Sequence, residues 1–178
     1  MVRVYLDSSF ISRITDYPKT GPRTLCDEDK HAVDQLSDSD DIEFVTSKKA
    51  LEEFQKSSDP DRRVILKLVY RLMTKISSEH LVNASLYGQA LYGQGTYGGS
   101  FDPLYDRLKQ IFDDDDAQHI FQAVKAKCNY FLTLDASTIL NRARAKEGEV
   151  RAVSGGMGFV TPSQLQAQIE EAPAGPPP

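Results

Sequence analysis

Two short apolar runs in this chain end on an aspartate. Val2-Arg3-Val4-Tyr5-Leu6 leads into Asp7, and Tyr130-Phe131-Leu132-Thr133-Leu134 leads into Asp135. Runs of this kind, rich in β-branched and aromatic residues and followed by small polar ones, read as buried strands. If both lie in one parallel sheet, Asp7 and Asp135 stand at its carboxyl edge, where open α/β sheets bind their ligands. Two carboxylates set side by side repel each other, and coexist only with a cation or a proton between them.

The segments between the two runs alternate in the same sense. "LCDEDKHAVDQL" carries Leu25, Ala32, Val33 and Leu36 at helical spacing, and "DIEFVTS" is a second strand ending at Thr46-Ser47. Ser47 suits the N-cap of the helix "KKALEEFQKS". Asp59-Pro60 reads as a cap and first-turn proline opening "DRRVILKLVYRLMTKI", with Val64, Leu68, Leu72 and Ile76 as its core stripe. Asp102-Pro103 starts another helix, and after the acid run Asp113 to Asp116 "AQHIFQAVKAKC" continues as a helix into the strand ending at Asp135. "ASTILNRARA" reads as helix, "GFV" as a short strand, and Thr161-Pro162 as the cap and first turn of a last helix. Strands alternating with helices imply a parallel sheet flanked by helices, an α/β sandwich.

At 178 residues the chain suits one domain over 1–166, with the Pro-rich 167–178 as a disordered tail. The prolines and glycine of 15–24 mark a loop, and so do the Leu-Tyr-Gly-Gln copies of 86–100, whose tyrosines suit stacking on unpaired bases or docking of a partner. A formal charge of -5 excludes a protein that coats nucleic acid by charge alone, but not a nuclease whose acids hold divalent ions. The two cysteines, Cys26 and Cys128, form no CxxC pair and read as buried thiols of a reducing cytosol. No secretory signal and no bilayer-length apolar segment is seen, so the chain reads as cytoplasmic and without a membrane partner. Neither G-x-G-x-x-G nor G-x-x-x-x-G-K-[ST] occurs, so nucleotide-cradling loops are not expected.

That leaves the carboxylates. With residues 100° apart, Glu53 lies roughly 105° from the centre of the Ala50, Leu51, Phe54 face and Glu52 roughly 155° away. Glu53 is therefore the better inward candidate, although Lys49 one turn back offers it an ion pair. Of Asp113 to Asp116, at least one is expected to face Asp7 and Asp135, and helical periodicity alone does not choose which. His119 reads as a packed or hydrogen-bonded histidine rather than a general base.

"VYLDSS", "VTSKKALEEF", "DAQHIFQAV" and "YFLTLD", in this order and at these separations, resemble a PIN domain over Val2 to Leu165. PIN domains include metal-dependent ribonucleases such as the VapC-like toxins of type II toxin-antitoxin pairs. The resemblance implies a three-layer fold with a central parallel sheet flanked by helices. It also implies four acids that hold Mg²⁺ or Mn²⁺ and hydrolyse RNA. Matched residue by residue, those acids are Asp7, Glu53, Asp116 and Asp135. Asp7, Asp116 and Asp135 would be metal ligands, and Glu53 a ligand or the positioner of the attacking water. Ser8 and Thr133 are candidates to orient them, and Arg13, Lys48, Lys49 and Arg142 candidates for RNA backbone contacts. A homodimer and a small antitoxin follow as partners from the same resemblance. Some PIN domains carry a further acid after the last strand, where this chain has Ala136, Ser137 and Thr138. A catalytically silent PIN-like RNA-binding or regulatory module is the second reading. A haloacid-dehalogenase-type phosphatase is the third, weakened by Ser9 where a second acid is needed.

Overall fold

A computed structural model describes residues 1–15, 25–75 and 102–171. The loops read at 15–24 and 86–100 and the end of the tail, 172–178, lie outside the described residues, save for the backbone of Thr15. The order is β1 (Val2–Leu6), α1 (Ser8–Thr15), α2 (Asp27–Ser37), β2 (Ile42–Thr46), α3 (Lys48–Gln55), α4 (Pro60–Leu72) and β3 (Thr74–Lys75). There follow α5 (Pro103–Lys109), α6 (Asp114–Lys125), β4 (Tyr130–Leu132) and a π-helical turn (Ala136–Leu140). The chain continues through α7 (Asn141–Ala145), α8 (Glu147–Ser154), β5 (Gly158–Val160) and α9 (Pro162–Glu171). The strands pair in the order β3-β2-β1-β4-β5, all parallel.

Strand alternation builds the layers. Along β1, Val4 and Leu6 join one buried cluster with Phe10, Ala50, Phe54 and Leu66, while Tyr5 joins another with Leu108, Ile120 and Phe121. Because successive side chains of a strand point to opposite faces, the two clusters are the two faces of the sheet. The fold is therefore three-layered, with α1 and α4 over one face and α5 and α6 over the other. The expected α/β class with a central parallel sheet is what is found.

One register row ties the second face together. Val45, Tyr5, Phe131 and Phe159 are paired across β2, β1, β4 and β5. Tyr5 and Phe131 stack at 5.2 Å between ring centres, and Phe131 meets Phe159 at 5.5 Å. Such offset aromatic contacts add roughly 0.5–1.5 kcal/mol beyond area burial. Tyr5 matters twice, since its hydroxyl continues out of this row toward the acids.

Four sequence expectations change in detail. Strand β4 ends at Leu132, and Asp135 instead caps the π-helical turn, with Thr133 N–H still bonded to the Val160 carbonyl at 3.1 Å. In α4 the stripe Val64 and Leu68 is exposed, at 59% and 54%, whereas Leu66, Val69, Tyr70 and Met73 face the core. The helix is apolar nearly all round, so its periodicity did not single out one face. The side chain of Leu72 and all of Ile76 lie outside the described residues. Cys128 is buried as expected, but Cys26 is exposed and accepts the Asp29 N–H as the cap of α2. Helix α9 runs on to Glu171, past residue 167 where the tail was expected to begin.

The strand order has a functional consequence. From β1 the sheet grows one way through β2 and β3 and the other way through β4 and β5, so the crevice between the carboxyl ends of β1 and β4 is the topological switch point. Asp7 and Asp135 follow those two ends.

Candidate metal centre

Asp7 leaves β1 at the switch point with only 3% of its surface exposed. A carboxylate so placed needs donors, and it has them: Ser9 Oγ donates to Oδ2 at 2.5 Å and Thr133 Oγ1 at 2.8 Å. Thr133 is fully buried and also accepts the Asp135 N–H at 3.0 Å. One threonine thus links the two strand-end acids. Asp135 in turn accepts from Thr138 N–H at 2.8 Å and Ser137 Oγ at 2.9 Å. Burial raises its pKa, but these hydrogen bonds outweigh it and hold the carboxyl below the ordinary range.

The acid run opening α6 is divided among partners. Asp113 pairs with Arg142 Nη1 at 2.8 Å. Asp114 accepts from the Tyr105 hydroxyl at 3.1 Å and from Gln118 at 3.3 Å. Asp115 takes Lys49 Nζ at 2.6 Å. Asp116 feels the charges of Asp7 and Asp135, and the Thr138 side chain bonds it. Burial first, and then the charges of Asp7, Asp135 and Asp113, push its pKa from 3.8 up to about 6, against the Thr138 hydrogen bond. Three acids from residues 7, 116 and 135 therefore share one electrostatic environment, spaced by Thr133 and Thr138.

Glu53 sits differently. Its Oε1 accepts from His119 Nε2 at 2.9 Å, with Lys49 Nζ at 4.0 Å and a further bond from the Ser8 side chain. His119 Nδ1 lies 2.7 Å from Tyr5 Oη, and Tyr5 Oη lies 2.7 Å from Ser47 Oγ. Burial pushes the imidazole pKa down, but the Glu53 hydrogen bond and the charges of Asp7 and Glu53 outweigh it and raise it. Burial likewise raises the Glu53 pKa, and His119, Ser8 and Lys49 together bring it below the ordinary range. The two shifts agree on an imidazolium–carboxylate pair. In that state both ring nitrogens donate, Nε2 to Glu53 and Nδ1 to Tyr5, which leaves the phenol hydroxyl to donate to Ser47.

Ser47 therefore occupies the expected cap position of α3 but makes no cap hydrogen bond, because its hydroxyl serves Tyr5. His119 is the residue whose role the sequence left open: the packed, hydrogen-bonded reading holds, but its tie to Glu53 spans 66 residues and carried no local signal. Lys49 is buried between Asp115 and Glu53, Arg142 is spent on Asp113, and Lys48 is exposed.

The donor set is all oxygen, which suits a hard divalent cation such as Mg²⁺ or Mn²⁺. A carboxyl raised to about 6 by burial and by the charges of its neighbours is a place where a cation can replace a proton. Among the described residues no three His, Cys, Asp or Glu side chains form a ready-made cation cage. Among the same residues no helix is long and apolar enough to cross a membrane. No family model, curated protein or solved structure matches the chain.

Proposed function

We propose that the protein is a divalent-metal-dependent endoribonuclease acting on single-stranded RNA. What supports this reading is that Asp116 feels the charges of Asp7 and Asp135, three acids from separate segments, near the switch point of the sheet. Such a concentration of negative charge is costly to fold unless something positive uses it.

Asp7, Asp116 and Asp135 would hold the ion, which when bound supplies charge neutralisation at the phosphodiester and a more acidic water. The Thr133 hydroxyl holds Asp7 and the Thr138 side chain holds Asp116, as hydrogen-bonding groups behind a metal ligand do. Glu53 is held ionised by His119 and Lys49, so one oxygen is anchored and the carboxylate can orient a water. Asp116, with its carboxyl raised to about 6, would be one of the oxygen donors to the ion.

A toxin of a type II pair, with a small antitoxin, a homodimeric state and a cytoplasmic location, belongs to the same reading through the PIN resemblance. The silent RNA-binding module stays as the second reading on two observations. The turn after Asp135 offers Ala136, Ser137 and Thr138 in place of a further acid, and Glu53 is committed to His119.

The test is cleavage of a labelled single-stranded RNA with Mn²⁺, followed by chelation. Metal-dependent cleavage that stops with EDTA is the expected result. RNA and Mn²⁺ binding without cleavage under any condition would select the silent module.

A further inference from the structure

Tyr5 is fully buried on the central strand of the sheet, yet its hydroxyl belongs to a polar row. Ser47 Oγ lies 2.7 Å from it on one side and His119 Nδ1 2.7 Å on the other, and His119 Nε2 lies 2.9 Å from Glu53 Oε1. The row leaves α3 at its cap residue Ser47, crosses β1 and α6, and comes back to α3 at Glu53. It is a closed ring of contacts whose two ends stand about 9 Å apart along one helix. Ser47, Tyr5 and His119 are buried, whereas Glu53 is partly exposed, so the row runs from the core out to the one member that reaches solvent.

The phenol is its fixed point. The Tyr5 ring stacks on Phe131 and meets the imidazole edge-on at 5.9 Å between ring centres, while the Tyr5 backbone is paired with Val45 and Phe131. An imidazole alone is less constrained, because rotation about its last side-chain bond has a broad, two-fold profile. Turning it over would put carbon where nitrogen now faces Glu53. The Tyr5 hydroxyl on Nδ1 prevents this in either protonation state, and leaves Nε2 carrying the hydrogen that Glu53 accepts.

Two further features favour a role at the site over a role in the core. Ser47 forgoes the cap hydrogen bond of α3 and holds the phenol instead. Tyr5 also stands two residues before Asp7, so one strand end carries the first acid and, through His119, fixes Glu53. We propose that Tyr5 is a positioning residue for the hydrolysis: acting through His119, its hydroxyl sets the orientation in which the Glu53 carboxylate meets the attacking water. The word "hydrolysis" rests on the ribonuclease reading, whereas the hold on His119 can be measured without turnover.

Tyr5→Phe keeps the ring and its stack on Phe131 and removes only the hydroxyl. With labelled single-stranded RNA and Mn²⁺ it should lower kcat about tenfold, as loss of a group behind a functional carboxylate does, and leave KM within about twofold. In a Glu53→Gln background the same change should have no further effect, because the two residues act as one unit. Without RNA or metal, the His119 Nε2–H of the wild-type protein should give a sharp, slowly exchanging proton–nitrogen correlation signal by NMR, which broadens or disappears in Tyr5→Phe. Ser47→Ala, which loosens the phenol from its other side, should move both readouts less and in the same direction, and covers the case in which Tyr5→Phe misfolds.

A kcat within about twofold of wild type in both variants, or an undiminished loss in the Glu53→Gln background, would overturn the proposal and leave the nuclease reading in place. An Nε2–H signal unchanged in both variants would overturn it whether or not RNA is cleaved. If the wild-type protein never cleaves RNA while Tyr5→Phe still frees the ring, the nuclease reading falls and Tyr5 stands as the residue that orients Glu53.

Discussion

Asp116→Asn should make the metal-free protein more stable at pH 7.5 while removing its activity. The folded carboxyl titrates at about 6 against an ordinary 3.8, so the native state holds a proton over a range where the unfolded chain has lost it. Stability therefore rises as pH falls through 6, and the electrostatic penalty is fully present above it. Asparagine removes that penalty at any pH. Because Asp116 is only half-buried, solvent screening leaves an effect of about 1 kcal/mol, or a rise of about 2–4 °C in Tm for a chain of this size. The difference between variant and wild type should shrink from pH 7.5 to pH 5. Loss of an ion ligand should lower Mn²⁺-dependent cleavage by at least about a hundredfold. A variant less stable than wild type at pH 7.5, measured by scanning calorimetry in EDTA, would mean that Asp116 is not under strain from its neighbours. Stability gained where activity is lost marks a functional site.

His119→Leu should have the opposite effect on stability, and a larger one. It leaves Tyr5 Oη with one partner fewer and strips Glu53 of its closest donor. Breaking a buried ion pair costs roughly 3–5 kcal/mol, and the 23% exposure of the Glu53 side chain places this case at the lower end, about 3 kcal/mol. That corresponds to a fall of roughly 6–12 °C in Tm. Lys49 at 4.0 Å is too far to replace the hydrogen bond, although its charge limits the loss. A denaturant midpoint within about 0.5 kcal/mol of wild type, the range of an ordinary surface substitution, would show that the buried chain from Ser47 to Glu53 does not hold the site together.

These two outcomes also mark where sequence reasoning reached and where it stopped. Strands β1 and β4, and with them the places of Asp7 and Asp135 just beyond their ends, could be read because a buried strand has a short, recognisable composition and a parallel sheet has one ligand-binding edge. Asp59-Pro60 opened α4 as expected, because cap chemistry is local. The α4 core face was misread because Val64, Ile65, Leu66, Leu68 and Val69 surround the helix, and only packing against α1 and α3 decides which of them are buried. The division of Asp113 to Asp116 among Arg142, Tyr105, Lys49 and the centre depends on α3, α5 and α7 arriving beside the same turn. The partnership of Glu53 with His119 depends likewise on α3 meeting α6 across the sheet edge. No periodicity within either helix encodes it.

The most direct measurement is an anomalous difference map from a crystal soaked in Mn²⁺. A peak bounded by the carboxylates of Asp7, Asp116 and Asp135 is the expected result, with Glu53 still on His119 or turned toward a water of the ion. A map with no peak among those three aspartates at saturating Mn²⁺, or with its strongest peak elsewhere on the protein, would contradict a cation centre at the switch point.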